Sequence, residues 1–136
     1  MTRPALVPEL GVTDIAASLA FWRDLCGFAV LWDRPEEGFA CVERDGARIM
    51  LDRLGGTRDW LAAPAERPFG RGMNLEIAVA SLAPLLAALE AAAWPFFLPV
   101  EEKSYRVGAS DLRVRQFIVQ DPDGYLVRFS ERLAPA

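Results

Sequence analysis

The chain has 136 residues, of which 52% are hydrophobic, and its formal net charge is −4 at pH 7. This length fits one domain or two small fused modules, with enough apolar residues for a packed core. An acidic chain lacks the basic face that phosphate contacts require, so the composition argues against nucleic-acid binding.

Other features of the sequence indicate a cytoplasmic protein without a membrane segment. The most apolar region, residues 77–100, is interrupted by Pro84 and Pro95. The first residues lack the apolar region of a signal peptide. Cys26 and Cys41 do not have the spacing of metal ligands, and we expect two reduced thiols.

The first part of the chain predicts a strand, a helix and three more strands. Alternation indicates a strand over residues 5–12, and Thr13 or Asp14 can cap the amphipathic helix that follows. Gly27 is placed to end this helix. Further strands are predicted at residues 28–34, 39–44 and 47–54, joined by a Pro35–Gly38 turn and an Asp45-Gly46 hairpin.

The rest of the chain predicts a linker and then the same order of elements. Residues 55–72 carry several glycines and prolines, which indicates a linker, with a helical turn expected around Asp59-Trp60-Leu61. A strand from Met73 and a helix over residues 81–92 follow. Three strands are predicted near residues 96–103, 113–120 and 125–131, the last two joined by the turn Asp121-Pro122-Asp123-Gly124.

The two parts of the chain also align with each other. Residues 9–19 match residues 76–86, so that Glu9 corresponds to Glu76, 67 residues later. A half of this size buries too little surface to be stable alone, so we expect both copies to share one core. The predicted fold is α+β. Two tandem βαβββ modules, about residues 1–54 and 73–136, would form one domain with a curved, mostly antiparallel eight-stranded sheet and a concave cleft.

Alternation within the strands also sorts their side chains onto two faces. Leu75, Ile77 and Val79 form an apolar face that should meet the helices. Polar residues accumulate on the opposite face, which is either solvated or a ligand cleft. That face comprises Val7, Glu9, Arg48, Met50, Asp52, Asn74, Glu76, Gln116, Ile118, Gln120, Leu126, Arg128 and Ser130.

Short motifs spread over nearly the whole chain carry a family resemblance. They include Val7-Pro8-Glu9-Leu10, Leu25-Cys26-Gly27-Phe28 and Glu37-Gly38-Phe39-Ala40. More specific are the segments at residues 66–72 (ERPFGRG) and 105–108 (YRVG), whereas Asp121-Pro122-Asp123-Gly124 is widespread. With these motifs the chain resembles the vicinal oxygen chelate superfamily, which has the glyoxalase/bleomycin resistance fold. It most resembles the bleomycin-resistance branch.

Enzymes of that superfamily hold a divalent metal with His and Glu side chains. The resemblance puts the ligand positions on Val7, Met50, Asn74 and Arg128. None of these suits a divalent ion, and the chain has no histidine. Arg128 is expected to pair with Glu9 or Glu76 instead. No metal and no cofactor are therefore predicted, and Glu9, Asp52 and Glu76 are read as a solvated or arginine-paired set of acids.

The resistance proteins of the branch imply a homodimer that sequesters bleomycin-type drugs in acidic, aromatic-lined grooves at the dimer interface. By motif, Phe39 matches a groove aromatic, Trp32 lies near another, and Asp59-Trp60 falls where the family supplies an acid and an aromatic. Tyr105 and Arg106 are expected in a loop that can close over a ligand. Negative charge for a cationic group would come from Glu36, Glu37, Asp59, Glu101 and Glu102.

These assignments have structural alternatives, since Phe39 and Trp32 can be core residues and paired acids are often only solvated. The function expected from the resemblance is binding of a small cationic aromatic molecule without catalysis. The alternative is an isomerase or lyase in which Glu9, Asp52 or Glu76 acts as the base. A Ser-His or Cys-His pair is impossible without histidine. A third possibility is an accessory domain that binds a partner protein.

Overall fold

The structure, a computed structural model, describes residues 3–56 and 59–135. The chain forms two compact units, residues 1–69 and 70–136. The boundary between the units lies inside the segment predicted to link the two copies.

The first unit contains a four-stranded mixed sheet and one helical segment. The strand order is β1-β4-β3-β2, in which β1 runs parallel to β4 and the other neighbours are antiparallel. The elements are β1 (Glu9–Val12), α1 (Ile15–Leu19), a π-helical turn (Ala20–Leu25), β2 (Ala29–Arg34), a 3₁₀ turn (Pro35–Glu37), β3 (Phe39–Arg44) and β4 (Ala47–Arg53).

The helical segment begins as predicted but does not continue as a regular α-helix. Asp14 caps it, because its Oδ1 accepts hydrogen bonds from the backbone N–H groups of Ala16 and Ala17 at 2.9 and 3.3 Å. The last part widens into a π-helical turn, in which the Cys26 N–H bonds to the Phe21 carbonyl five residues earlier. The adjacent Phe21 and Trp22 side chains are both buried.

The second unit repeats this arrangement. Its strand order is β5-β8-β7-β6, with β5 parallel to β8 and the remaining pairs antiparallel. The elements are β5 (Asn74–Ala78), α2 (Ala83–Ala91), β6 (Phe96–Val107), β7 (Ser110–Gln120) and β8 (Leu126–Arg132).

Each sheet has one apolar face in the core, as the alternation predicted. In the first unit this face carries Leu10, Val12 and Leu51, and in the second it carries Ile77, Val119 and Val127. Full burial of each such side chain stabilises the fold by about 1.5–3 kcal/mol relative to its exposed state. Rings fill both cores: Trp22 lies 5.2 Å from Phe28 in an edge-to-face contact, and Phe117 lies 5.6 Å from Phe129. The other face of each sheet carries polar residues, and in the first sheet it also carries the buried Phe39 and Cys41.

The predicted α+β fold of two tandem βαβββ modules is confirmed, with three corrections. The eight strands are hydrogen-bonded as two four-stranded sheets rather than one sheet of eight. β1 begins at Glu9, so Val7 precedes the strand. Residues 59–61 form no helical turn, and the Asp59 carboxylate accepts a hydrogen bond from the Gly55 N–H at 2.8 Å.

A further correction concerns the predicted loop around Tyr105 and Arg106. Both residues lie in β6, which pairs with β7 as far as Val107 and Ser110. Gly108, with a φ of 62°, provides the tight turn between the two strands. In the described part of the chain, no helix is long and apolar enough to cross a bilayer.

Candidate functional site

The polar face of the first sheet collects most of the cleft residues predicted in the first copy. The strand register sets Glu9, Met50, Cys41 and Trp32 side by side in one row across the four strands. The next row contains Gly11, Asp52, Phe39 and Arg34. Because partners in neighbouring strands point to the same side, Trp32 and Phe39 share this face with Glu9, Met50 and Asp52.

A short turn holds two acids beside the second row. Residues Pro35–Glu37 form the 3₁₀ turn, and Gly38 follows with a φ of 67°. The Gly38 carbonyl accepts a hydrogen bond from the Arg53 N–H at 2.9 Å, which ties the turn to β4. A Cβ atom at position 38 would come within 2.8 Å of the Arg53 side chain, so glycine allows Arg53 to lie against the turn.

The turn, the sheet face and the segment after β4 enclose a cavity of ≈ 610 Å³, here called the acidic cavity. This volume is typical of sites for small molecules. Five of its lining residues are acids and two are arginines. The lining consists of Glu9, Arg34, Glu36, Glu37, Asp52, Arg53, Gly56, Asp59 and Trp60.

Trp60 supplies the large apolar surface of the acidic cavity. Its side chain is 76% exposed, whereas the core indole of Trp22 is fully buried. The neighbouring Asp59 is held by its hydrogen bond to the Gly55 N–H. An indole exposed to this extent beside carboxylates can stack on a flat ring or contact a cation.

Arg34 is fixed over an aromatic ring at the edge of the acidic cavity. Its Cζ lies 3.9 Å from the centroid of Phe39, and its Nε donates to the Glu37 carboxylate. This hydrogen bond raises the pKa of Arg34 above its already high ordinary value, and the negative charges of Asp52 and Glu36 add to the increase. Phe39 itself is buried, with 4% of its surface exposed.

Burial and a neighbouring acid both disfavour the charged form of Glu9 in the acidic cavity. The surrounding protein removes enough water from its carboxylate to raise the pKa above the ordinary 4.5, and the negative charge of Asp52 raises it further. Arg34 opposes both effects. Glu9 is thus easier to protonate than an ordinary glutamic acid.

Trp32 lies on the same sheet face, but it is not among the residues that line the acidic cavity. It is 39% exposed, and the guanidinium of Arg48 lies 6.0 Å from its ring centroid. Arg48 is buried and pairs with Glu43 at 3.1 Å. Cys41 is buried as well, and burial raises the pKa of its thiol, which suits a structural cysteine.

In the second unit, the polar sheet face is occupied by ion pairs and hydrogen bonds. Arg128 lies 3.4 Å from the Glu76 carboxylate, which realises one of the two pairings expected from the sequence. Its guanidinium also donates to the side-chain oxygens of Asn74 at 3.3 Å and Gln116 at 3.4 Å. The predicted residues Asn74, Glu76 and Arg128 are therefore brought into contact with one another.

The predicted ligand residues of β6 contact their neighbours in the second sheet. The buried Gln116 amide donates to the Glu101 carboxylate and to the Tyr105 hydroxyl, both at 2.8 Å. Glu102 pairs with Arg115 at 3.1 Å. Arg106 lies opposite Asp111 in the β6–β7 ladder.

The ligand positions of the superfamily's metal enzymes do not fit a divalent ion in this chain. Met50 offers a thioether beside Glu9, and Arg128 brings a fixed positive charge to Asn74 and Glu76. Hard divalent ions and zinc require carboxylate, imidazole or thiolate donors. Within residues 3–56 and 59–135, no three acids or cysteines gather in a way that could hold a metal.

The structure thus unites part of the predicted site and adds residues that the sequence analysis missed. Glu9, Asp52, Asp59 and Trp60 line one cavity together with Glu36 and Glu37. Arg34 and Arg53 were missed, because only negative charge was sought for a cationic ligand. Their position at the ends of two predicted strands, beside a turn with two acids, was the available signal.

Comparison with known protein families identifies the superfamily of the chain. A sequence model of the Glyoxalase/Bleomycin resistance protein/Dioxygenase superfamily matches residues 6–129. The chain belongs to this superfamily. No curated protein matches the chain.

Solved structures are also similar to the chain. A superfamily member from Vibrio splendidus 12B01 is 36% identical over 92% of this chain and 95% of its own, with a TM-score of 0.42. An integron cassette protein from V. cholerae is 21% identical, with a TM-score of 0.70, over 96% of this chain and 97% of its own. TioX from Micromonospora sp. ML1 is also 21% identical with a TM-score of 0.70, over 96% and 100%. The last two support the fold alone.

Proposed function

We propose that this chain binds a small cationic aromatic molecule in the acidic cavity and holds it without chemical change. A resistance protein that sequesters a bleomycin-type antibiotic would act in this way. The observation that carries the proposal is the lining of the cavity, which contains five carboxylates together with the exposed indole of Trp60. A positive charge on the ligand would meet the acids, and a flat ring would meet the indole.

The contacts available in the acidic cavity are strong enough for useful affinity. A micromolar dissociation constant corresponds to about −8 kcal/mol. Ring stacking contributes about 0.5–1.5 kcal/mol per pair beyond area burial, and hydrogen bonds to charged groups contribute about 1.5–3 kcal/mol each. One stack on Trp60 and two such hydrogen bonds approach this range, and apolar burial must supply the rest and offset the freedom that the ligand loses on binding.

The residues at the superfamily's metal positions favour binding over metal-dependent catalysis. The superfamily's description names enzymes as well as a resistance protein. Met50 and Arg128 are poor ligands for the ion on which the enzymes depend. By the same resemblance, we propose a homodimer in which Trp32, Phe39, Glu101, Glu102, Tyr105 and Arg106 contribute to the groove. Analytical ultracentrifugation tests the dimer.

Calorimetric titration tests the proposed function directly. The panel consists of metal-free and metal-loaded bleomycin, phleomycin and unrelated cationic aromatic compounds. We expect saturable binding of at least one cationic aromatic compound, and affinity that falls as salt is added because the acids are near the surface. Absence of heat with every compound would contradict the proposal while leaving the fold assignment intact.

Replacing Trp60 with alanine separates a ligand contact from a core residue. We expect Trp60→Ala to weaken binding about tenfold, because a stacking surface is lost, and to leave the melting temperature nearly unchanged. The matched control is Leu61→Ala, because Leu61 is the next residue, is 47% exposed and does not line the acidic cavity. Equal losses of affinity in the two variants would contradict a specific role for the indole.

One observation favours a second function, an isomerase or lyase that uses a carboxylate base. Glu9 has a raised pKa and lines the acidic cavity together with Asp52, and a raised pKa makes a carboxyl group a better candidate for proton transfer than an ordinary glutamic acid. The test is NMR of each bound compound during long incubation with the protein. Conversion that is abolished in Glu9→Gln would support the enzyme, and unchanged compound would support sequestration.

A further inference from the structure

The arrangement of Arg34 indicates what kind of positive group the acidic cavity accepts. The guanidinium of Arg34 lies over Phe39, with Cζ 3.9 Å from the ring centroid, and its Nε bonds to Glu37. The protein's own cation therefore already makes an aromatic contact and a carboxylate contact at once. These are the two contacts that a cationic aromatic ligand would seek.

We propose that Arg34 occupies the cation subsite of the acidic cavity, and that a ligand binds by displacing it with a flat guanidinium or amidinium group. This inference rests on the proposed function, because it takes the acidic cavity as the ligand site. It adds the identity of the cationic group and the residue with which the ligand competes. Arg34 is thus a specificity-determining residue.

The geometry makes displacement feasible. The Arg34 side chain is 45% exposed, and its pair with Glu37 is near the surface, where ion pairs contribute little to stability. Phe39, by contrast, is 4% exposed and is anchored in β3. Movement of the arginine would uncover a fixed ring face and leave Glu37 without its cation, and a ligand guanidinium can restore both contacts.

The chemistry favours a planar cation over an ammonium group. A guanidinium stacks on a ring face while its N–H groups form hydrogen bonds in the same plane, whereas an ammonium group is compact and strongly hydrated. The remaining acids near Arg34, which are Glu36, Asp52 and Glu9, would support the positive charge of the incoming group.

Replacing Arg34 with methionine tests the competition. The probe is phenylguanidinium, and phenylurea is its neutral counterpart of similar shape. We expect Arg34→Met to bind phenylguanidinium about tenfold more tightly than the unmodified protein, because the internal competitor is gone. The affinity for phenylurea should differ by less than about twofold between Arg34→Met and the unmodified protein.

Arg53→Met is the matched control. Arg53 also lines the acidic cavity, and its replacement changes the net charge by the same amount, but the described contacts place Arg34 on the Phe39 ring. Removing Arg53 should therefore give only the general electrostatic gain, about twofold. Equal tightening in both variants would show that charge alone matters and would overturn the inference.

A measurement on the unmodified protein keeps the inference testable if Arg34→Met fails to fold. Because the guanidinium lies over a ring and its Nε–H is bonded to Glu37, the Nε–H resonance of Arg34 should differ from those of exposed arginines. Addition of phenylguanidinium should move this resonance to the usual position. If phenylguanidinium binds and the resonance stays, Arg34 is not displaced and the inference fails alone. If no compound of the antibiotic panel and neither probe binds to any of the proteins, the proposed function fails as well.

Discussion

Glu9 and Glu76 hold equivalent positions in the two copies, yet their neighbours differ. In the register of the first sheet Glu9 lies beside Met50, and in the second sheet Glu76 lies beside Arg128. Glu76 therefore has a cation at 3.4 Å, whereas burial and the charge of Asp52 raise the pKa of Glu9 more than Arg34 lowers it. In the second copy Glu76 forms a structural ion pair, whereas in the first copy Glu9 lines the acidic cavity.

This difference predicts opposite effects of glutamine at the two positions. A carboxyl group whose pKa is higher in the folded than in the unfolded protein destabilises the fold once the pH exceeds the unfolded value, and has no such effect when both states are protonated. We expect Glu9→Gln to raise the melting temperature at pH 7 by about 1–2 °C. The gain should vanish at pH values well below the ordinary pKa of 4.5.

The control for this prediction is Glu76→Gln. It removes the carboxylate that pairs with Arg128 and should lower the melting temperature at pH 7. The loss in free energy of unfolding should be no more than about 1 kcal/mol, because the pair is partly exposed. Thermal unfolding followed by circular dichroism at several pH values measures both variants. A loss of stability in Glu9→Gln at pH 7 would show that the Glu9 carboxylate is stabilised rather than strained.

The elements that follow alternation were predicted well, and those governed by other forces were not. β3 spans residues 39–44 as expected, because its apolar residues are buried and its ends are fixed by Gly38 and the Asp45-Gly46 turn. β6 and β7 extend beyond their predicted ends. The sequence did not indicate this extension, because residues 102–107 are exposed and carry no apolar pattern. The cross-strand charge pairs of Glu102 lie at the base of this extension, and such pairs depend on a register that the sequence does not show.

Glu102 is the centre of these charge pairs, so its neutralisation should loosen the outer hairpin. Its carboxylate lies 3.1 Å from Arg115 and 3.6 Å from Arg113. We expect Glu102→Gln to increase amide hydrogen exchange in residues 104–107 and 110–113, with a change in melting temperature of less than about 2 °C, because exposed pairs contribute little to global stability. Hydrogen exchange with mass spectrometry measures this effect.

Glu90→Gln, which makes the same charge change on α2, is the matched control for Glu102→Gln. The difference between the two variants should disappear at about 1 M salt, where the screening length falls to about 3 Å. Equal exchange of the hairpin amides in the two variants at low salt would show that backbone pairing alone holds the outer strands.

At the scale of the whole chain, the 67-residue repeat predicted the order of elements in both units. The two sheets have equivalent strand orders, and Glu9 and Glu76 fall at the same place in each. The acidic cavity was only partly predicted. Asp59 and Trp60 were named from motifs, but Arg34 reaches the cavity through a turn and a stacking contact that no sequence period encodes.

The composition of the whole chain also bears on metal dependence, which is common among the superfamily's enzymes. The chain has no histidine, and the guanidinium of Arg128 takes part in contacts with Glu76, Asn74 and Gln116 at a position where the enzymes place a metal ligand. We expect tag-free protein to contain less than about 0.1 equivalent of any divalent metal by mass spectrometry, since the donors present do not suit one. A chelator should leave the melting temperature unchanged, and so should added zinc or manganese, because a ligand stabilises a fold only if it binds the folded state. A stoichiometric ion that raises the melting temperature by several degrees would contradict this prediction. It would favour a metal-dependent enzyme of the superfamily instead.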